Sequence, residues 1–131
     1  MFKLIILLLC VQFGNSATLK ERLNIASKSE KPILTIFSAK WCAPCRLMEK
    51  DVIEPMVASG ELNSVSVIHV DVDIDKEFTT RQIGENFTIP TTILFFKEDG
   101  KWLQYKITGY ETEYKTRHRI LQIIELQKKR K

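Results

Sequence analysis

The chain has 131 residues, of which 44% are apolar and 27% are charged, a length and composition typical of one globular domain. The formal net charge of +4 is modest, so we expect no nucleic-acid partner held through its phosphates. Three cysteines are too few for a disulfide-dense scaffold or for a four-thiolate zinc site.

The first seventeen residues have the pattern of a secretory signal. Lys3 supplies a positive charge, an unbroken run of eight apolar residues follows, and small residues come at the end. The apolar run is too short to span a bilayer, which takes about 20 residues. We therefore predict a signal peptide over residues 1–17, cleaved after Ser16 or Ala17, and an exported domain over residues 18–131. A buried N-terminal strand and an uncleaved anchor are the alternatives.

Helical and strand patterns alternate after this segment. Leu19, Leu23 and Ala26 are spaced as on one helix face and predict a first helix that ends before Pro32. The continuous apolar run over residues 33–37 predicts a central strand covered on both faces. The later segments are a helix from Pro44 past Val52, a short segment between Pro55 and Gly60, a strand over 65–72, a helix over 77–87, a hairpin of strands over 93–96 and 101–108, and a closing helix from Glu111.

This order of elements, α-β-α-β-α-β-β-α, predicts one α/β domain with a central mixed β-sheet and helices on both faces. Asp71, Asp73 and Asp75 alternate with apolar residues at the end of the second strand, which indicates one polar strand face. A calcium loop there would need Gly and Glu where Lys76 and Gln82 stand. We therefore expect no metal at these aspartates.

Cys42 and Cys45 are the two cysteines that remain after cleavage of the signal. A bridge that closes so short a loop constrains the unfolded chain very little, so we expect a chemical rather than a structural purpose. The pair stands between a buried strand and a helix, and Pro44 is tolerated there because the first helical turn has no acceptor for its missing N–H. At the cap position, free backbone N–H groups and the helix dipole should hold the pKa of Cys42 below about 8.5.

The same position separates the roles of the two sulfurs. Cys42 precedes the helix, so we expect it to be exposed and to attack a substrate disulfide. Cys45 lies almost one turn inside, so we expect it to be shielded and to resolve the mixed disulfide. A zinc site would need further ligands besides the two cysteines, and His69 and His118 are the only histidines in the sequence. Covalent haem attachment would need a histidine directly after Cys45, where Arg46 stands. We expect no metal and no cofactor other than the redox-active pair.

Three segments of the sequence form recognisable motifs: Phe37-Ser38-Ala39-Lys40-Trp41-Cys42-Ala43-Pro44-Cys45, Ile89-Pro90-Thr91-Thr92 and Gly109. These motifs resemble those of the thioredoxin-fold thiol–disulfide oxidoreductases over about residues 19–127. The resemblance implies a thioredoxin fold and a cis Pro90 that faces the cysteines, with the backbone of Ile89 pairing with the substrate chain. An ordinary strand-opening proline is the alternative for Pro90. Ala43 departs from the glycine usual between thioredoxin cysteines.

The expected substrate surface consists of Trp41, Ala43, Pro44, Ile89 and Pro90. Trp41 stands beside the nucleophile, and its alternative use is to fill the core. The surface is thus made of two segments that are far apart in the chain.

A second departure concerns proton transfer. Thioredoxins place a buried Asp six residues before the first cysteine, and Ile36 stands at that position here. Ile36 cannot exchange protons, so another group or water must serve Cys45. Glu49 is the nearest candidate, because residues four apart share a helix face. A solvated helix carboxylate is the alternative, and His69 is interpreted as an ordinary sheet residue.

The sequence therefore predicts an exported, periplasmic or secreted, thiol–disulfide oxidoreductase that acts mainly as a reductant. Strong oxidants of this fold carry histidine between the cysteines, and Ala43-Pro44 supplies no such partner. The expected partners are exported proteins with disulfides and a membrane reductant-conducting protein as electron donor, and the protein is expected to be a monomer. A disulfide oxidase or isomerase and a redox-inactive binding module are the alternatives.

Overall fold

The computed structural model describes residues 17–130, so the predicted signal peptide, apart from Ala17, lies outside the described residues. Within this part of the chain, none of the helices is long and apolar enough to cross a membrane. The elements are α1 (Leu19–Lys28), β1 (Ile33–Ser38), α2 (Ala43–Met48), a π-helical segment (Glu49–Ile53), α3 (Glu54–Ser59), β2 (Ser66–Asp71), α4 (Lys76–Ile83), β3 (Thr91–Glu98), β4 (Lys101–Thr108) and α5 (Glu113–Lys129).

The four strands form one mixed sheet in the order β2-β1-β3-β4. β1 is parallel to β2 and antiparallel to β3, and β3 and β4 form an antiparallel hairpin. The turn of the hairpin is made by Asp99 and Gly100, both with positive φ, which matches the right-handed twist of the flanking strands. The predicted mixed sheet and its hairpin are confirmed.

β1 lies inside the sheet and is buried on both faces, as its unbroken apolar run predicts. Its side chains alternate between two apolar clusters because successive residues of a strand point to opposite faces. Leu34 and Ile36 pack with the helical stretch from α2 to α3 and with α5, whereas Ile33 and Phe37 pack with α1 and α4. The prediction of helices on both faces of the sheet is therefore confirmed.

The helical stretch that begins after Cys42 is continuous over residues 43–59, whereas the sequence predicts two separate segments. The predicted short segment is α3, but it continues α2 directly through the π-helical segment. Pro55 stands in the first turn of α3, where the wider π-helical turn accommodates its ring and its missing N–H. Gly60 ends the stretch with a left-handed φ of 85°.

Two other helix boundaries differ from the sequence prediction. α4 ends at Ile83 rather than near residue 87, because Gly84 leaves the helical conformation with a φ of 82°. α5 begins at Glu113 rather than at residue 111, because the side chain of Thr112 accepts the backbone N–H of Lys115 and caps the helix there.

Replacement of Ile36 by alanine tests the packing of β1. Ile36 is 1% exposed, and its truncation should lower the free energy of unfolding by about 2–5 kcal/mol through lost apolar burial and a residual cavity. Ile25→Ala is the matched control, because Ile25 is 68% exposed and its truncation should change stability by less than about 0.5 kcal/mol. Denaturant titration measures both, and equal effects would contradict the placement of Ile36 in the core.

Candidate active site

The two cysteines lie where β1 gives way to α2. Cys42 is the N-cap residue of α2, and its backbone N–H donates to the carbonyl of Ala39 at 3.1 Å. The backbone N–H of Cys45 donates to the sulfur of Cys42 at 3.3 Å. Pro44 follows in the first turn, where its missing N–H costs no helical hydrogen bond. The first turn of α2 thus holds one sulfur against a backbone donor, as the sequence predicts.

A disulfide joins Cys42 to Cys45, with the two Cα atoms 5.3 Å apart. The structure is therefore the oxidised state of the pair. Cys42 is 5% exposed and Cys45 is 4% exposed, so the expected difference in exposure is wrong for this state. The reason is that both cysteines pack into the apolar cluster of Phe37 and Val70, with half-buried Ile89 beside them.

The segment before β3 lies directly over the sulfur of Cys42. The carbonyl oxygen of Ile89 is 3.9 Å from Sγ of Cys42, although the two residues are 47 positions apart in the chain. The Ile89–Pro90 peptide bond is cis, Pro90 is buried, and its carbonyl accepts the backbone N–H of Gly109 at 2.7 Å. The structure thus brings Ile89 and Pro90 together with the cysteines.

Trp41 lies on the surface rather than in the core. Its side chain is 66% exposed, and its Nε1–H donates to Oδ2 of Asp73 at 2.7 Å. Ala43 and Pro44 are exposed beside it. An apolar surface therefore lies next to the disulfide, and the hydrogen bond to Asp73 fixes the orientation of the indole ring.

Glu49 does not extend freely into solvent. Its two carboxylate oxygens lie 2.9 and 2.8 Å from Nε2 of His69 on β2, and its side chain is 34% exposed. Glu49 and His69 also line a surface groove of about 400 Å³ together with Cys45. Glu49 thus lies on the same groove as Cys45, and His69 is more than an ordinary sheet residue because it contacts that carboxylate.

Asp71, the last residue of β2, has local partners. Oδ1 of Asp71 accepts the backbone N–H of Asp73 at 2.9 Å and that of Ile74 at 3.4 Å, which shapes the turn into α4. Among residues 17–130, no three His, Cys, Asp or Glu side chains are grouped as a metal site requires.

Known proteins resemble this chain in sequence and in fold. A family model described as a thioredoxin-like domain matches residues 19–124. A thioredoxin of Alicyclobacillus acidocaldarius is 33% identical over 100 residues, which are 76% of this chain and 89% of that protein. A thioredoxin of Mycolicibacterium smegmatis is 36% identical over 67 residues, which are 51% of this chain and 58% of that protein.

The chain belongs to the thioredoxin-like family. With its disulfide-forming pair, this thioredoxin-like protein is a thiol–disulfide oxidoreductase. The solved structure of Trichomonas vaginalis thioredoxin superposes with a TM-score of 0.63 over 82% of this chain and 92% of that chain, at 22% identity, and shows the shared fold.

For two residues of this thioredoxin-like protein, the sequence predicts only a place in or after a strand and not a contact with the site. Asp73 holds the indole of Trp41, and His69 holds the carboxylate of Glu49. His69 belongs to β2, and Asp73 belongs to the turn after it. β2 runs parallel to β1 and ends at the same edge of the sheet. The carboxyl ends of neighbouring parallel strands are the signal that could have found them.

Alkylation of the reduced protein tests the helix cap at Cys42. In the Cys45→Ser variant, the rate of alkylation of Cys42 should reach half its maximum below a pH of about 8.5, because the helix end favours the thiolate. A cysteine-containing peptide in the same buffers is the control. A midpoint equal to that of the peptide would show that the cap does not stabilise the thiolate.

Proposed function

We propose that this thioredoxin-like protein is exported and reduces disulfides of other exported proteins through Cys42 and Cys45. The observation that carries the proposal is the sulfur of Cys42 at the cap of α2, where it accepts a backbone N–H and lies 3.9 Å from the carbonyl of Ile89. The redox group in this proposal is the pair itself, without a further cofactor.

The reaction transfers two electrons from the dithiol to the substrate disulfide. The thiolate of Cys42 attacks one substrate sulfur, the substrate S–S bond breaks, and the other substrate sulfur leaves as a thiolate. Cys45 then loses its proton and attacks the sulfur of Cys42, which releases the second substrate thiolate. The protein ends as the disulfide seen in the structure, and both substrate sulfurs take protons from solvent.

The substrate surface in this proposal surrounds Cys42. Trp41, Ala43 and Pro44 are exposed on one side, and half-buried Ile89, followed by buried Pro90, forms the other. A substrate chain laid across Cys42 would contact the indole ring through apolar side chains and the Ile89 segment through its backbone. Apolar contacts of this kind are sequence-tolerant, which suits a reductant of many disulfides.

Glu49 is proposed as the proton acceptor for Cys45. Ile36, at the position of the thioredoxin acid, is an apolar residue that is 1% exposed and has no titratable group. Glu49 lines the same groove as Cys45, so a proton can pass between them directly or through water in the groove.

The direction of electron flow follows from what stabilises the reduced form. Ala43 and Pro44 offer no charged or hydrogen-bonding side chain to a thiolate, unlike a histidine at the same place. A less stable reduced form is a stronger reductant. The lack of a stabilising side chain between the cysteines therefore favours net reduction. We further propose that a dithiol of a membrane reductant-conducting protein supplies the electrons and that the protein acts as a monomer.

The export part of the proposal rests on the sequence of the first seventeen residues. Their charged start, apolar run and small residues are typical of a signal peptide. Export would place the protein in the periplasm, or outside the cell, where its substrates form disulfides.

Reduction of insulin with dithiothreitol as electron donor tests the exchange reaction. The mature protein should accelerate the precipitation of insulin chains, and Cys42→Ser should lower the rate to that of dithiothreitol alone, because the attacking sulfur is gone. No acceleration by the unmodified protein, together with tight stoichiometric metal binding, would favour the binding module instead.

Equilibration with glutathione buffers tests the direction. We expect a reduction potential nearer to about −270 mV, the value of a thioredoxin, than to the −120 mV or so of a strong periplasmic oxidant. Quantification of reduced and oxidised protein after acid quenching gives the value. A potential above about −180 mV would instead assign the protein as an oxidase or isomerase.

A further inference from the structure

Glu49 and His69 form a close pair across two elements of the fold. Glu49 belongs to the π-helical segment, and His69 belongs to β2. Nε2 of His69 lies within 2.9 Å of both carboxylate oxygens. A carboxylate accepts hydrogen bonds, so Nε2 carries the hydrogen and donates it. This contact leaves the imidazole with a second nitrogen, Nδ1, that can take up a proton.

The pair lies beside the position that the missing acid would occupy. His69 is the register partner of Ile36 on the neighbouring parallel strand, so the two side chains lie on the same face of the sheet. That face is covered by the helical stretch that carries Glu49 and Cys45. The apolar side chain of Ile36 is thus flanked on its own face of the sheet by His69, which contacts Glu49.

The groove connects the pair to the resolving cysteine. Cys45, Glu49 and His69 all line it, and its volume of about 400 Å³ leaves room for water. The side chain of His69 is 44% exposed, so the pair can exchange protons with solvent. The groove therefore supplies a path from the thiol of Cys45 to the pair and onward to bulk water.

We propose that His69 is a positioning residue for proton transfer, which holds the carboxylate of Glu49 towards Cys45 and forms with it one proton-accepting unit. The proposal rests on the proposed role of Glu49 and adds a second residue to it. An unrelated surface pair is the competing interpretation, since exposed pairs of this kind contribute little to stability.

The proposed step keeps atoms and electrons in balance. The proton of the Cys45 thiol passes to the Glu49–His69 unit, and the Cys45 sulfur attacks Sγ of Cys42. The bond between Cys42 and the substrate sulfur breaks, so the substrate leaves as a thiolate and takes a proton from solvent. The unit then gives its proton to water, and the Cys42–Cys45 disulfide remains.

Charged groups of β2 itself and of neighbouring segments surround the unit and enter its pH dependence. Lys40, Arg46 and Asp71 line the same groove. Nη1 of Arg22, on α1, donates to the backbone carbonyl of His69 at 3.0 Å.

A single-turnover reaction with an aromatic disulfide separates the two steps. The reduced protein is mixed with an equimolar aromatic disulfide that releases a coloured thiolate at each step. The first release reports attack by Cys42 and depends on concentration. The second release reports resolution by Cys45 and is independent of concentration. The first phase is thus an internal control for folding and for the reactivity of Cys42.

His69→Val removes the partner of Glu49 and keeps a residue suited to a strand. We expect the second phase to slow by roughly 10-fold at pH 7.5, with the first phase unchanged, because part of the acid–base contribution is lost. His69→Gln keeps a donor but does not titrate, so it should slow the second phase less. His118→Gln is the matched control, since His118 is exposed on α5 and stacks on Tyr114; it should change neither phase.

The pH profile separates proton transfer from a structural effect. The ratio of the second-phase rates of the unmodified protein and His69→Val should fall as the pH drops from 7.5 to 5.5, because a protonated imidazole cannot accept another proton. The ratio of the second-phase rates of His69→Gln and His69→Val should stay constant over the same pH range. A constant ratio, a His69→Gln profile that superimposes on that of the unmodified protein, or equal slowing of both phases would overturn the proposal.

Glu49→Gln distinguishes failure of this proposal from failure of the proposed role of Glu49. If the unit acts as one, Glu49→Gln should slow the second phase at least as much as His69→Val, and the double variant should be no slower than Glu49→Gln. A slow Glu49→Gln with an unaffected His69→Val would overturn the role of His69 alone. Unchanged second phases in both variants would overturn the roles of both residues.

Discussion

The backbone N–H of Cys45, directed at the sulfur of Cys42, is the contact on which the chemistry of this protein depends. It exists because α2 begins immediately after the loop that follows β1, and because Cys42 itself caps that helix. A helix end offers unpaired N–H groups and a partial positive charge, both of which favour a thiolate over a thiol. In the proposed mechanism, this N–H also faces the sulfur of the reduced pair and stabilises the thiolate of Cys42 as the nucleophile.

The position of this helix end is fixed by burial rather than by the short disulfide. β1 is packed on both faces and pairs with β2 and β3, so the end of the strand is held at the centre of the sheet. The helical stretch after Cys42 is fastened to the sheet by Met48, Val52 and Ile53, all of which are almost fully buried. Apolar burial of this extent makes the junction rigid, so the chemistry of the two sulfurs takes place on a fixed frame.

The residues around the disulfide come from three separate parts of the chain, which explains how far sequence alone could predict the site. The motif from Trp41 to Cys45, the buried strand before it and the Asp99–Gly100 hairpin are local patterns, and each was predictable from spacing and residue type. The contacts of Trp41 with Asp73 and of Glu49 with His69 join distant segments and depend on the register between β1 and β2. The low exposure of Cys42 was missed for the same reason, because Ile89 reaches it from a distant loop.

The assignment of the attacking sulfur is tested most directly by trapping the mixed disulfide. Each reduced single-cysteine variant, Cys45→Ser and Cys42→Ser, is mixed with a disulfide-containing peptide at neutral pH, and the adduct is followed by intact-protein mass spectrometry. We expect Cys45→Ser to accumulate an adduct on Cys42 much faster than Cys42→Ser forms one on Cys45, because only Cys42 caps the helix. Equal rates, or faster adduct formation through Cys45, would contradict the assignment of Cys42 as the attacking sulfur.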